Sequence, residues 1–154
     1  MMSLCCDVLS RLQGKTLVTA ESLTGGGIGA ALTQVSGASA VYKGGIISYT
    51  NEVKNKLLGV PVESLEQFGA VSEPVAGAMA EGARKALEAD VAVSVTGLAG
   101  PGGDDYGNPV GTVFIGYSDA DKTVVKPCLF SGDRESIRSQ TIETALQLIL
   151  DMQK

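Results

Sequence analysis

Within TLVTAESLTGGG, residues 16–27, Ser22 stands between a β-branched apolar run and three consecutive glycines. A serine at the carboxyl end of a strand, just ahead of a helix, lies where open α/β sheets bind ligands. Its hydroxyl is a candidate nucleophile, and such a group needs a base. The chain contains no histidine, which excludes a Ser-His-Asp triad, a Cys-His pair and every His-ligated metal site. The base must then be Lys, Glu, Asp, Tyr or water. Lys54, in SYTNEVK (residues 48–54), is the best candidate. It falls in the first turns of an expected helix, where a cation opposes the helix dipole. A lysine there belongs either to a solvated surface or to a pocket, and burial would lower its pKa.

Glycine costs about 1 kcal/mol relative to alanine inside a helix, so Gly25, Gly26 and Gly27 need a reason. Unpaired first-turn amides beside small residues let an anion or a developing oxyanion approach the backbone. Tight packing is the alternative, as expected for Gly29. A second glycine-rich stretch, TGLAGPGGDDYGNP, covers residues 96–109 and is too long for a simple turn. It forms either a nest of N–H groups for a phosphate or carboxamide oxygen or a mobile surface loop. It is not a Walker loop, because no Gly-Lys-Ser/Thr closes it. In SGDRESIR, residues 131–138, Asp133 is expected to cap a helix. Arg134 then lies on its first turn, either reaching a phosphate bidentately or sitting on open surface.

The elements that must position these residues alternate along the chain. An amphipathic helix is expected over Ser3–Leu12, a strand over Thr16–Ala20 and a helix from Thr24 to about Ser36. Residues 41–50 read as a strand interrupted at Gly44 and Gly45, with Tyr49 at its end. Thr50 or Asn51 caps the next helix, which Gly59 stops. A further short helix follows Pro61, with Ser64 and Gln67 spaced like a capping box. Ser72 is expected to cap a helix over Pro74–Glu88. Asp90–Thr96 reads as a buried strand. Val110–Ser118 and Lys122–Phe130 form an antiparallel hairpin around DAD, and Arg134–Met152 a final helix. Helices alternating with strands, then a hairpin, imply a three-layer α/β/α domain with a mixed sheet.

At 154 residues, with 44% hydrophobic and 19% charged residues, the chain is expected to form one globular domain, residues 1–154. A net charge of −5 argues against nonspecific nucleic-acid or membrane binding. No apolar run is long enough to span a bilayer. The start lacks a basic n-region and a signal-peptide core, so a cytoplasmic protein is expected. Cys5, Cys6 and Cys128 have neither disulfide nor metal spacing and read as packing thiols.

Taken together, AESLTGG, GGIISYTNEVKNKLLGV, GAVSEPVA, AVSVTGLAGPGG, PVGTVFIG and SGDRESIR resemble, in order, the CinA carboxy-terminal domain family. The resemblance runs from about Thr16 to the final helix. That family includes stand-alone nicotinamide mononucleotide amidohydrolases. It implies a three-layer α/β/α fold, association into homo-oligomers, no metal and no cofactor. The implied reaction takes nicotinamide mononucleotide to nicotinic acid mononucleotide and ammonia. By the same resemblance Ser22 matches the proposed nucleophile, and Tyr49 and Lys54 the residues proposed to assist proton transfer. Thr96, Gly97, Gly100 and Gly103 match its glycine-rich loop, and Arg134 a phosphate contact. Glu21, Thr24, Gly25, Gly26 and Asn51 are assigned to the substrate side, with amides near Gly25 and Gly26 for an oxyanion. Glu21 is expected to hold Lys54, orient water or act as a cap. One departure is Leu23, where the family usually has cysteine. Two other readings stand beside this one: a nucleotide-binding or protein-interaction module without catalysis, and a hydrolase for a different amide.

Overall fold

A computed structural model describes residues 1–154. Five strands form one mixed sheet in the order β2-β1-β3-β4-β5. Strand β1 (Leu17–Glu21) runs parallel to β2 (Tyr42–Ile47) on one side and to β3 (Val91–Gly97) on the other. Strands β4 (Thr112–Ser118) and β5 (Thr123–Leu129) complete the sheet as the expected antiparallel hairpin. Helices α1 (Met2–Arg11), α2 (Gly27–Thr33) and α6 (Arg134–Met152) cover one face. Helices α3 (Asn51–Leu58), α4 (Val62–Phe68) and α5 (Glu73–Ala86) cover the other. The architecture is the expected three-layer α/β/α arrangement. No helix is long and apolar enough to cross a membrane.

The two layers have separate cores. Leu17, Val93, Val95, Ile115 and Tyr117 pack with Val8, Ile28, Leu146 and Ile149 under α1, α2 and α6. Val18, Ala20 and Ala92 pack with Leu58, Leu65, Val75 and Met79 under α3, α4 and α5. Strands β1 and β3 are therefore buried on both faces, and their buried polar side chains, Thr19, Glu21, Ser94 and Thr96, are all hydrogen-bonded.

Several local expectations are corrected. Helix α2 spans Gly27–Thr33 rather than Thr24 to Ser36, because Gly25 and Gly26 adopt φ of 60° and 99° and form a turn. A short 3-10 turn at Ala38–Ala40 follows it. Strand β2 stops at Ile47, leaving Tyr49 beyond it, and the pairing shifts after Tyr42 so that Lys43 bulges out. The capping box at Ser64 and Gln67 does not form, since Pro61 occupies the N-cap and Ser64 lies inside α4. Ser72 stands at the N-cap of α5 without a side-chain cap bond; its hydroxyl instead donates to Gly69 O at 2.8 Å. Thr50 and Asp133 do cap their helices, accepting from Val53 N and Ser136 N.

Pleating of β1 sets up the site. Side chains two apart share a face of a strand, and neighbours point oppositely. Leu17 and Glu21 thus face the α2 layer, while Val18 and Ala20 face the α3–α5 layer. Ser22 continues the alternation towards α3, and its N–H still bonds to Val95 O on β3 at 3.1 Å. The carboxyl ends of β1, β2 and β3 converge there, where the strand order reverses: the chain passes from β1 to β2 on one side and then crosses back to β3 on the other.

Candidate active site

Lys54 sits in the first half of α3, and its side chain is 1% exposed. Helical side chains lean towards the amino terminus, which carries its ammonium back over the start of the helix. There Nζ donates to Ser48 O at 2.7 Å and Tyr49 O at 3.3 Å. It also lies 3.1 Å from Ser22 Oγ, 32 positions away in sequence. The two carbonyls can only accept, so they take two N–H bonds. The third direction, towards Ser22, carries either a proton or the lone pair of the neutral amine. No carboxylate lies within ion-pair distance of Lys54. Burial without a counter-ion lowers its pKa from 10.5 to about 8. The amino-terminal dipole of α3 acts in the same direction.

Glu21, expected on the substrate side, against Lys54, orienting water or as a cap, lies away from Lys54 and caps α2. It is 2% exposed and faces α2. One oxygen accepts from Thr24 Oγ1 at 2.7 Å and Ile28 N at 2.8 Å; the other accepts from Thr19 Oγ1 and Gly29 N, both at 3.1 Å. The carboxylate therefore occupies the amino terminus of α2, where a ligand anion was expected, and Thr24 serves it. Gly25 N–H is also committed, donating to Ser22 O at 3.1 Å. The amides of Leu23, Thr24 and Gly26 have no acceptor within the chain. The remaining glycines divide by role. A methyl on Gly27 would meet Ile142 at 2.6 Å and one on Gly29 the Tyr42 hydroxyl at 2.6 Å, so these two permit close packing.

A cavity of about 440 Å³ opens at Ser22 and Lys54. Asn51, Thr96, Gly97 and Gly103 line it, together with Tyr49 and the unanticipated Asp104, Asp105 and Tyr106. Thr96 is buried and donates to Ala70 O at 2.9 Å. Desolvation opposes ionisation of Asp104, but bonds from Asn108 and Tyr106 outweigh it and hold that carboxyl below its ordinary value. Tyr106 ties the loop to α4 through its hydroxyl, which donates to Glu66 O at 2.7 Å. No three His, Cys, Asp or Glu side chains gather closely enough to hold a metal ion.

A smaller recess of about 130 Å³ adjoins this cavity through Tyr49, Gly97 and Leu98, and is bounded by Leu23, Gly100, Gly102 and Arg134. Arg134 donates to Gly100 O at 2.6 Å and to the Tyr49 hydroxyl at 3.4 Å. The Tyr49 phenol thus faces Arg134 rather than Lys54, and only the Tyr49 carbonyl meets the lysine. Leu23 is 4% exposed and belongs to the core under α6. In the glycine-rich loop the amides of Ala99, Gly100, Gly102 and Gly103 find no acceptor in the chain.

Arg138 escaped the sequence reading. Its Nε donates to Leu23 O at 2.9 Å and its Nη2 to Thr24 O at 3.1 Å. A signal was present: it lies one helical turn beyond Arg134, next to the buried Ile137.

The profile of the CinA C-terminal domain family matches residues 2–153. The chain belongs to this family. A relative from Escherichia coli K12, named nicotinamide-nucleotide amidohydrolase PncC, is 44% identical over 140 residues, covering 90% of this chain and 85% of that one. A CinA-like protein from Parasynechococcus marenigrum is 56% identical over 121 residues, 77% of this chain. This chain spans about a third or less of the CinA-like relatives, 29% of that protein and 32% of one from Endomicrobium trichonymphae. Among solved structures, the competence/damage inducible protein CihA from Agrobacterium tumefaciens superposes with a TM-score of 0.96 at 38% identity, covering 99% of this chain and 95% of that one.

Proposed function

We propose that the chain hydrolyses the carboxamide of nicotinamide mononucleotide, with Ser22 as nucleophile and Lys54 as its base. The observation that carries this reading is the 3.1 Å contact between Lys54 Nζ and Ser22 Oγ at the floor of an open cavity. A buried lysine titrating near 8 exchanges its proton readily around neutral pH. In the first half-reaction Ser22 Oγ attacks the carboxamide carbon while its proton passes to Lys54 Nζ. The tetrahedral intermediate collapses as Lys54 returns that proton to the departing nitrogen, giving ammonia and a Ser22 ester. Water then adds to the ester, loses a proton to Lys54 and releases the carboxylic acid, and Lys54 reprotonates Ser22.

Two further features support a pyridine nucleotide as the substrate. Asp104 and Asp105 line the cavity, and Lys54 is its one basic lining residue, which suits a cationic pyridinium ring. The adjoining recess offers Arg134 and unpaired loop amides, which suit the ribose phosphate. Binding energy from that remote group would orient the carboxamide over Ser22. The name of the Escherichia coli relative agrees.

The test is ammonia release by purified protein from nicotinamide mononucleotide, with nicotinamide riboside and nicotinamide alongside. Turnover is expected with the nucleotide and a large loss without the phosphate. Ser22→Ala is expected to reduce kcat by at least ~10²-fold. A Ser22→Ala enzyme with near-normal turnover would remove the nucleophile, and binding of the nucleotide without ammonia release would favour a non-catalytic module.

A further inference from the structure

Residues Ser22 to Gly25 form a tight turn closed by the Gly25 N–H bond to Ser22 O. Inside it the amides of Leu23 and Thr24 are unpaired, and they are the first two after the Ser22 hydroxyl. The carbonyls of Leu23 and Thr24 point instead at α6, where the Arg138 guanidinium takes one with Nε and the other with Nη2. In a trans peptide the N–H lies opposite the carbonyl. Fixing Leu23 O against α6 therefore turns the Thr24 N–H away from α6, towards the layer that holds Lys54. Arg138 is half-buried, and its planar fork suits two neighbouring acceptors in a way an ammonium does not.

We infer that Arg138 is a positioning residue: its guanidinium fixes the Ser22–Gly25 turn so that the Leu23 and Thr24 amides form the oxyanion hole for attack by Ser22. This rests on the acyl-transfer reading above. It moves the oxyanion donors from the amides near Gly25 and Gly26, of which that of Gly25 is already bonded, to the unpaired amides of Leu23 and Thr24, the two nearest Ser22 along the chain. Arg138 touches no substrate in this arrangement. Its effect belongs in the transition state, because oxyanion donors are aimed at charge that develops only then.

The experiment compares wild type, Arg138→Ala and Arg138→Lys by steady-state ammonia release from nicotinamide mononucleotide, with thermal unfolding as a control. Arg138→Ala is expected to lower kcat by ~10²-fold with KM within about twofold. Added guanidinium at millimolar concentration should restore part of the kcat of Arg138→Ala without moving its unfolding midpoint, as a purely structural residue would not. Arg138→Lys should recover less, since an ammonium cannot span both carbonyls; it also carries the test if Arg138→Ala does not fold. A raised KM with unchanged kcat would place Arg138 on the substrate and overturn the inference, as would unaltered kinetics. If wild type releases no ammonia, the substrate reading fails separately. The inference is then read from labelling of Ser22 by a fluorophosphonate, whose phosphoryl oxygen needs the same donors. Labelling slowed at least ~10-fold in Arg138→Ala upholds it, and equal rates reject it.

Discussion

At the scale of single residues, the defining feature is a buried lysine with no carboxylate partner. Lys54 is neutralised in part by burial, and two carbonyls steer its remaining valence towards Ser22. A free amine is the reactive form, so kcat/KM for nicotinamide mononucleotide is expected to rise with pH and level off, with an inflection at about 8. Lys54→Met should lose activity by ~10²–10⁴-fold and show no such inflection. A pH profile of ammonia release for both proteins checks this, and an unshifted inflection in a variant that retains activity would assign it to another group. The residue types of this pair were legible in the sequence, because a chain without histidine leaves few bases for a serine. Their meeting was implied by the family resemblance and not by their spacing, since 32 positions separate them. Of the roles open to Glu21 from the sequence, the structure shows the cap and not a contact with Lys54. On a pleated strand the adjacent residue belongs to the opposite face, and Glu21 spends three of its four bonds on α2 and its approach and the fourth on Thr19 of its own strand.

At the scale of elements, the helices and strands were largely readable from periodicity, and the long α6 was recovered from Arg134 to Met152. Turn chemistry was less readable. Three glycines in a row looked like a loose helix start, whereas two of them make a left-handed turn and the third packs on Ile142. The apparent capping box failed because a proline one turn earlier already starts α4. Packing between helices was legible only as one of two reasons for the glycine cluster at the start of α2. Gly82 on α5 shows what was missed: a methyl there would collide with the carbonyl of Leu58, which lies one turn beyond Lys54 on α3. Gly82→Ala is expected to push α3 outward and cost ~1–3 kcal/mol, measured as a lowered urea midpoint. It should also reduce kcat, because the lysine travels with its helix. A variant as stable and as active as wild type would show that the α3–α5 contact does not hold Lys54 in place.

At the scale of the whole molecule, the same lysine costs stability. Below pH 8 both the folded and unfolded chains hold its proton, and the folded state bears the full cost of burying an ammonium. Between about 8 and 10.5 the folded chain has released the proton and the unfolded chain has not. The unfolded state then binds more protons, so stability rises with pH in that window and flattens above it. The full difference is about 3 kcal/mol. Lys54→Met removes this dependence. Its stability relative to wild type should therefore fall by about 2 kcal/mol between pH 7 and pH 9.5, read from denaturant unfolding of both proteins at the two pH values. A constant gap would mean that Lys54 is not held near 8 in the folded chain.

The two-residue rhythm of β1 has a genetic consequence. Deleting one codon from its middle, Thr19 for instance, would swap the outlooks of the last two side chains: the carboxylate would confront the amine of α3, and the hydroxyl would turn to the start of α2. Both helices would lose their polar complement at once. A frame-preserving single-codon loss in this short strand should thus silence the protein as thoroughly as replacing both side chains, although every chemical group needed for the reaction would still be encoded.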